Sequence, residues 1–86
     1  MTPRQIEDLI RVALPQTRVE VRSDDNTHFE ARLIGPEFAG LKPLARHQLV
    51  YRALGARMGQ EIHALSIEAF TPEEWARRAG GAPERG

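Results

Sequence analysis

Cysteine is absent from this 86-residue sequence. The chain therefore has no disulfide, no thiol nucleophile and no thiolate metal ligand of its own. Net charge is absent as well, because twelve Lys and Arg balance twelve Asp and Glu. That balance gives no general drive toward nucleic acid or an anionic membrane surface. No apolar run approaches the roughly 20 residues of a membrane span, and the N-terminus lacks the charged-then-apolar layout of a signal peptide. The expectation is a soluble cytoplasmic protein with no membrane partner. Catalytic signatures are missing too: there is no G-x-G-x-x-G, P-loop, G-x-S-x-G or H-E-x-x-H, and Ser66 has no evident base. The sequence names no catalytic residue, and no enzyme is expected.

What is present is a patterned single domain. Met1 to Leu14 reads as a helix: Thr2 caps it, Pro3 suits its first position, Gln5 completes a capping box, and Pro15 stops it. Ile6, Leu9, Ile10 and Ala13 give that helix one apolar face. Arg18 to Arg22 and Thr27 to Ile34 alternate polar and apolar residues around the Ser23-Asp24-Asp25-Asn26 turn, so they are expected to form an antiparallel hairpin. A short helical turn follows at Pro36 to Gly40. A longer helix is expected from Pro43 to about Met58, with Gly59 as its C-cap and a stripe of Leu44, His47, Val50 or Tyr51, Leu54 and Met58. Gly55 falls inside that helix, where it costs about 1 kcal/mol relative to Ala, and close packing is the expected reason for it.

Ile62 to Phe70 reads as the third strand and Thr71-Pro72-x-Glu74 as the capping box of a last helix. The order α-β-β-α-α-β-α predicts an α+β fold, a three-stranded sheet with helices packed on one face. The domain spans residues 1–79, and the Gly/Pro-rich stretch 80–86 reads as a disordered tail.

The stretch Ile62-His63-Ala64 holds the best candidate site residue. A histidine at a strand mouth is often packed there for structure; it is also a neutral imidazole that a metal can take. One histidine makes no site. Zinc and iron–sulfur centres want about four ligands, and this chain offers three histidines and no thiolate. If His63 binds a metal, most ligands come from another molecule, and the site is shared. A homodimer would double the histidines and still bring no thiolate. His28, at the end of the first turn, reads as a polar-face histidine, and His47 as a core one. Asp24 and Asp25 lack the EF-hand pattern and read as turn residues. Arg46, Arg52 and Arg57 form a candidate nucleic-acid stripe, although a solvated, salt-bridged face is the commoner meaning of such charges.

Several separated motifs, in order, resemble the BolA family. They are Val19-Glu20-Val21, Thr27-His28-Phe29, Phe38-x-Gly40, Arg46-His47-Gln48-x-Val50-Tyr51, Ile62-His63-Ala64-Leu65-Ser66-Ile67 and Thr71-Pro72-x-x-Trp75. The short N-terminus resembles the small bacterial members of the IbaG type. The resemblance implies a class II KH-like fold. It implies partnership with a monothiol glutaredoxin as a heterodimer, with a [2Fe-2S] cluster bridged between the two and none bound by the isolated chain. The glutaredoxin cysteine and glutathione would supply thiolates, and the position matching the family histidine is His63. The family's second ligand is a His or Cys in the loop between the first two strands. Here Ser23 to Thr27 contains neither, and His28 is the nearest candidate. Some members are described as DNA-binding transcriptional regulators of stress response and cell shape, the alternative function. Gly40-Leu41-Lys42-Pro43 lacks the second glycine of the G-x-x-G loop with which KH domains grip nucleic acid.

Overall fold

The capping boxes read from sequence start the first and last helices. In the computed structural model, which describes residues 1–81, Thr2 Oγ1 accepts the Gln5 N–H while Gln5 Oε1 accepts the Thr2 N–H at 2.8 Å, and α1 (Pro3–Ala13) follows. Thr71 and Glu74 repeat this reciprocal pair ahead of α3 (Pro72–Gly81). The rest of the expected tail, residues 82–86, lies outside the described residues. Among the described residues no helix is long and apolar enough to cross a membrane.

Between these helices lie β1 (Arg18–Arg22), β2 (His28–Ile34), a 3-10 turn at Pro36–Phe38, α2 (Pro43–Leu54), a second 3-10 turn at Gly55–Arg57 and β3 (Ala64–Phe70). The sheet order is β1-β2-β3, with β1 antiparallel to β2 and β3 parallel to β2. Period-two alternation sends Val19, Val21, Phe29, Ala31 and Leu33 to one face, where they are buried with Ile6, Ile10, Phe38, Val50, Leu54 and Ile62. α1 packs on β1 and α2, and α2 packs on β3, as expected for helices on one face of an α+β sheet. The other face carries charge: Arg22 meets Glu30 at 3.6 Å and Arg32 meets Glu68 at 3.1 Å. Trp75 of α3 additionally reaches this face, lying 5.0 Å beneath the Arg32 guanidinium and 5.4 Å from the Phe70 ring.

Four expectations about residues 43–70 are corrected. α2 ends at Leu54, not Met58, because Gly55 takes φ +60°, in the region that L residues avoid. Close packing does not explain Gly55, since a Cβ there would meet nothing within 4 Å. The expected apolar stripe holds at Val50 and Leu54, which are buried, and at Met58, which packs against the core; Leu44, 69% exposed, leaves it, and of Val50 and Tyr51 it is Val50 that points in. The inward row is Arg46, Val50 and Leu54, four residues apart, and it begins with an arginine. Finally, β3 starts at Ala64, two residues after the expected Ile62. Ile62 is fully buried, but it belongs to the preceding turn: it donates to Arg57 O at 2.9 Å and accepts from Gly59 at 2.8 Å.

Arg46 ties α2 to both neighbours. Its Nε donates to Leu41 O at 2.8 Å and Nη1 to Ala69 O at 2.9 Å, while Nη1 and Nη2 fork onto the two Glu74 oxygens at 2.7 and 3.0 Å. The Arg46 hydrogen bonds, helped by the Thr71 N–H, lower the Glu74 carboxyl from 4.5 to about 2.

Gly55→Ala is expected to lower stability by about 1–3 kcal/mol, the cost of a strained backbone position. A mid-helix glycine would give the opposite sign, a gain of about 1 kcal/mol, so the direction of the urea midpoint shift decides. For Glu74, the folded value lies below the unfolded one, so its stabilising contribution is complete above about pH 4.5 and is lost as pH falls toward 2. Glu74→Gln should therefore be less stable than wild type at neutral pH, with the gap closing through that window. A gap that stays constant down to pH 2 would separate Glu74 ionisation from the fold.

Candidate metal-ligand corner

The Ser23–Thr27 turn is built by side chains. Asn26 takes φ +56°, a conformation that asparagine tolerates. Ser23 Oγ accepts the Asn26 N–H at 2.9 Å and donates to His28 O at 2.6 Å. Asp25 Oδ1 accepts the N–H groups of Thr27 and His28, both at 2.9 Å. Asp25 Oδ2 lies 2.9 Å from His28 Nδ1. These contacts, led by the His28 N–H and then the His28 ring, hold the Asp25 carboxyl well below the usual carboxylate range. His28 thus enters β2 with its backbone and its ring both anchored, while the ring remains 75% exposed.

The parallel register brings the second histidine to this place. His28 pairs with Ala64, the residue directly after His63. Neighbouring strands lie roughly 4.8 Å apart, so the backbones at residues 28 and 63 meet at one end of the sheet. His63 does not lie within the strand expected from Ile62. It precedes β3 and is exposed, and no side-chain hydrogen bond engages it among the described residues. His28 sits on the charged row with Glu30 and Arg32, beside a concavity of about 440 Å³ lined also by Arg22, Asp24, Asp25 and Ser66.

This end of the sheet carries two histidines, Asp25 is engaged with His28, and Asp24 lines the concavity with no side-chain partner among the described residues. Among the described residues no three His, Cys, Asp or Glu side chains converge to hold a metal ion. Any metal centre met here needs donors from a second molecule. His47 is half-buried on α2, in keeping with a histidine packed against the core.

The arginines do not form one stripe. Arg46 is only 12% exposed and is spent on Glu74, so it leaves the candidate nucleic-acid set. Arg57 lies 3.7 Å from Glu61. Arg52 is exposed on α2 and forms no ion pair among the described residues. Asp25 is the residue that sequence reasoning passed over. It was assigned to the turn, which is correct, but its i, i+3 spacing to His28 also lets one carboxylate oxygen take the ring while the other takes the backbone.

A family model described as BolA-like protein matches residues 10–74, which include β1, β2, α2 and β3 with His28 and His63. Among curated proteins, the DNA-binding transcriptional regulator BolA of Vibrio cholerae is 40% identical over 58 residues, 67% of this chain and 55% of that protein. The match to human BolA-like protein 1 spans only 36% of that protein, so the chain covers about half or less of the length of these relatives. Among solved structures, a bolA protein homologue from Coxiella burnetii superposes with a TM-score of 0.80 at 42% identity, covering 90% of this chain and 99% of that one. The BolA domain of SufE1 from Arabidopsis thaliana gives 0.74 at 31% identity, covering 84% and 93%.

Proposed function

The chain belongs to the BolA-like family, and on that premise we propose that it is the histidine-bearing partner of a monothiol glutaredoxin, sharing a [2Fe-2S] cluster in iron–sulfur cluster trafficking or iron homeostasis. The observation that carries this reading is the corner itself: two histidines at one sheet end of a chain with no thiol. A [2Fe-2S] cluster needs about four donors, usually thiolates, and histidines can replace two of them on one iron. His63 supplies the first nitrogen, since it is exposed and no side-chain hydrogen bond engages it among the described residues. His28 supplies the second, through the nitrogen that Asp25 does not occupy. The thiolates come from the glutaredoxin cysteine and from glutathione. In this reading the protein performs no bond chemistry. It offers imidazole ligands, and these alter the spectrum and potential of a cluster otherwise held by sulfur.

The test is to titrate the protein into cluster-loaded glutaredoxin and follow visible absorption and circular dichroism. Wild type should convert the spectrum of the glutaredoxin cluster into that of a mixed sulfur–nitrogen site. His63→Ala should leave the glutaredoxin spectrum in place, and His28→Ala should give a third, intermediate spectrum. Should His63→Ala reproduce the wild-type change, His63 is not a ligand.

A second reading has its own support. The Vibrio cholerae relative bears the name of a DNA-binding transcriptional regulator, and Arg52 is exposed on α2 without an ion pair among the described residues. Phosphate contacts would make the affinity fall steeply with salt, and losing one contact lowers the log–log slope by about 0.9. Arg52→Ala should then weaken binding and flatten that slope, with Arg57→Ala acting less because of Glu61. Absence of binding to duplex and single strands at low salt removes this reading.

A further inference from the structure

Asp25 makes more contacts than a turn requires. An asparagine at position 25 could close the same turn, because only Oδ1 accepts the Thr27 and His28 N–H groups. What the carboxylate adds is its second oxygen, 2.9 Å from His28 Nδ1. An ionised carboxylate can only accept hydrogen bonds, so the shared proton belongs to the ring, on Nδ1. In the neutral imidazole that assignment leaves Nε2 without a proton and with its lone pair available. The turn also fixes where the ring stands. Ser23 Oγ holds the His28 carbonyl at 2.6 Å, Asp25 holds its N–H, and the ring is tied to the same carboxylate. Such an arrangement of carboxylate, imidazole and outward nitrogen resembles the outer support of metal-binding histidines in general, where the carboxylate sets the tautomer and orientation.

We propose that Asp25 is a positioning residue for His28. It selects the Nδ1–H tautomer and holds the ring so that Nε2 is the free donor atom at the corner shared with His63. The selection itself belongs to the isolated chain. What Nε2 then binds rests on the shared-cluster reading above. The region 23–28 carries no ligating residue in the turn proper, and Asp25 makes the residue after it competent instead.

The discriminating variant is Asp25→Asn. Its Oδ1 still accepts the two backbone N–H groups, while its amide nitrogen now donates toward Nδ1. The ring must then accept at Nδ1 and carry its proton on Nε2, so the tautomer reverses and the donor atom is lost. The first readout uses the isolated chain at about pH 8.5, roughly two units above the ordinary imidazole value. Ring 15N shifts of His28 should show Nδ1–H in wild type and Nε2–H in the variant, with the Thr27 and His28 amide resonances still those of the folded turn. Equal tautomer populations in the two proteins overturn the proposal. The second readout is titration into cluster-loaded glutaredoxin. Asp25→Asn should give the His28→Ala spectrum and weaken complex formation by about 10- to 100-fold, the usual effect of removing such a support. If His28→Ala changes the spectrum and Asp25→Asn does not, Asp25 does not position the ligand. If the tautomer reverses but His28→Ala has no spectral effect, the positioning role stands and the assignment of His28 as a ligand fails.

Discussion

Arg46 is the group on which the placement of α2, β3 and α3 depends. One guanidinium reaches the carbonyl of Leu41 before α2, the carbonyl of Ala69 near the end of β3, and both oxygens of Glu74 in the first turn of α3. The planar fork suits this, because its five donors can satisfy a carboxylate and two carbonyls together. Glu74 is doubly employed, since the oxygen that takes Arg46 Nη1 also takes the Thr71 N–H. The capping of α3 and the docking of α2 are therefore one network. With the N-terminal end of α2 fixed beside the end of β3, its C-terminal end lies toward the start of β3. The chain can then reverse through Gly55 and Gly59 into Ile62, His63 and Ala64.

The parts of this fold that were legible in the sequence are those settled locally. Thr2 with Gln5 and Thr71 with Glu74 act over three residues, so the spelling alone names them. Alternation in Arg18–Arg22 and His28–Ile34 carries its own face assignment, and both strands bury the residues it selects. The errors arise where a distant contact overrides a local preference. Arg46 reads as solvent-facing because charges usually are, yet Glu74, 28 residues away, draws it inward. Val50 and Leu54 lie inward as expected and share that side with Arg46, and Leu44, two residues before Arg46, lies on the outer side of the helix. Gly55 was misjudged for a related reason: its use is a positive φ at a chain reversal, and periodicity says nothing about where a chain reverses.

The site was legible in the same uneven way. His63 stood out because the core pattern of Leu65 and Ile67 does not require it. Its placement on the strand followed from reading Ile62 as the strand's first residue, and the ladder begins only at Ala64. Ile62 leaves the ladder because Arg57 and Gly59 claim its backbone groups. Releasing His63 from the strand matters chemically. A ring gripped by the core would give up part of its surface to packing, whereas an exposed ring on irregular backbone can meet a partner's surface.

On the proposed reading, the contrast between the two histidines bears on how a shared centre would be built. Among the described residues His63 is exposed and has no side-chain partner, and His28 is exposed and held at Nδ1. A bridging site formed between two proteins needs some donors fixed beforehand, so that ordering them does not consume the affinity. It also needs one that can adjust to the geometry the partner brings. A turn of Ser23, Asp25 and Asn26 supplies the fixed donor with local hydrogen bonds alone, independent of the thin core of an 86-residue chain. The parallel pairing of β2 with β3 then supplies proximity, because His28 and Ala64 are partners whichever way the His63 ring turns. Fixed donor and adjustable donor thus come from different levels of the structure, one from a turn and one from the sheet register. On the proposed reading, that division would let a chain without a single thiol offer two ligands on one corner.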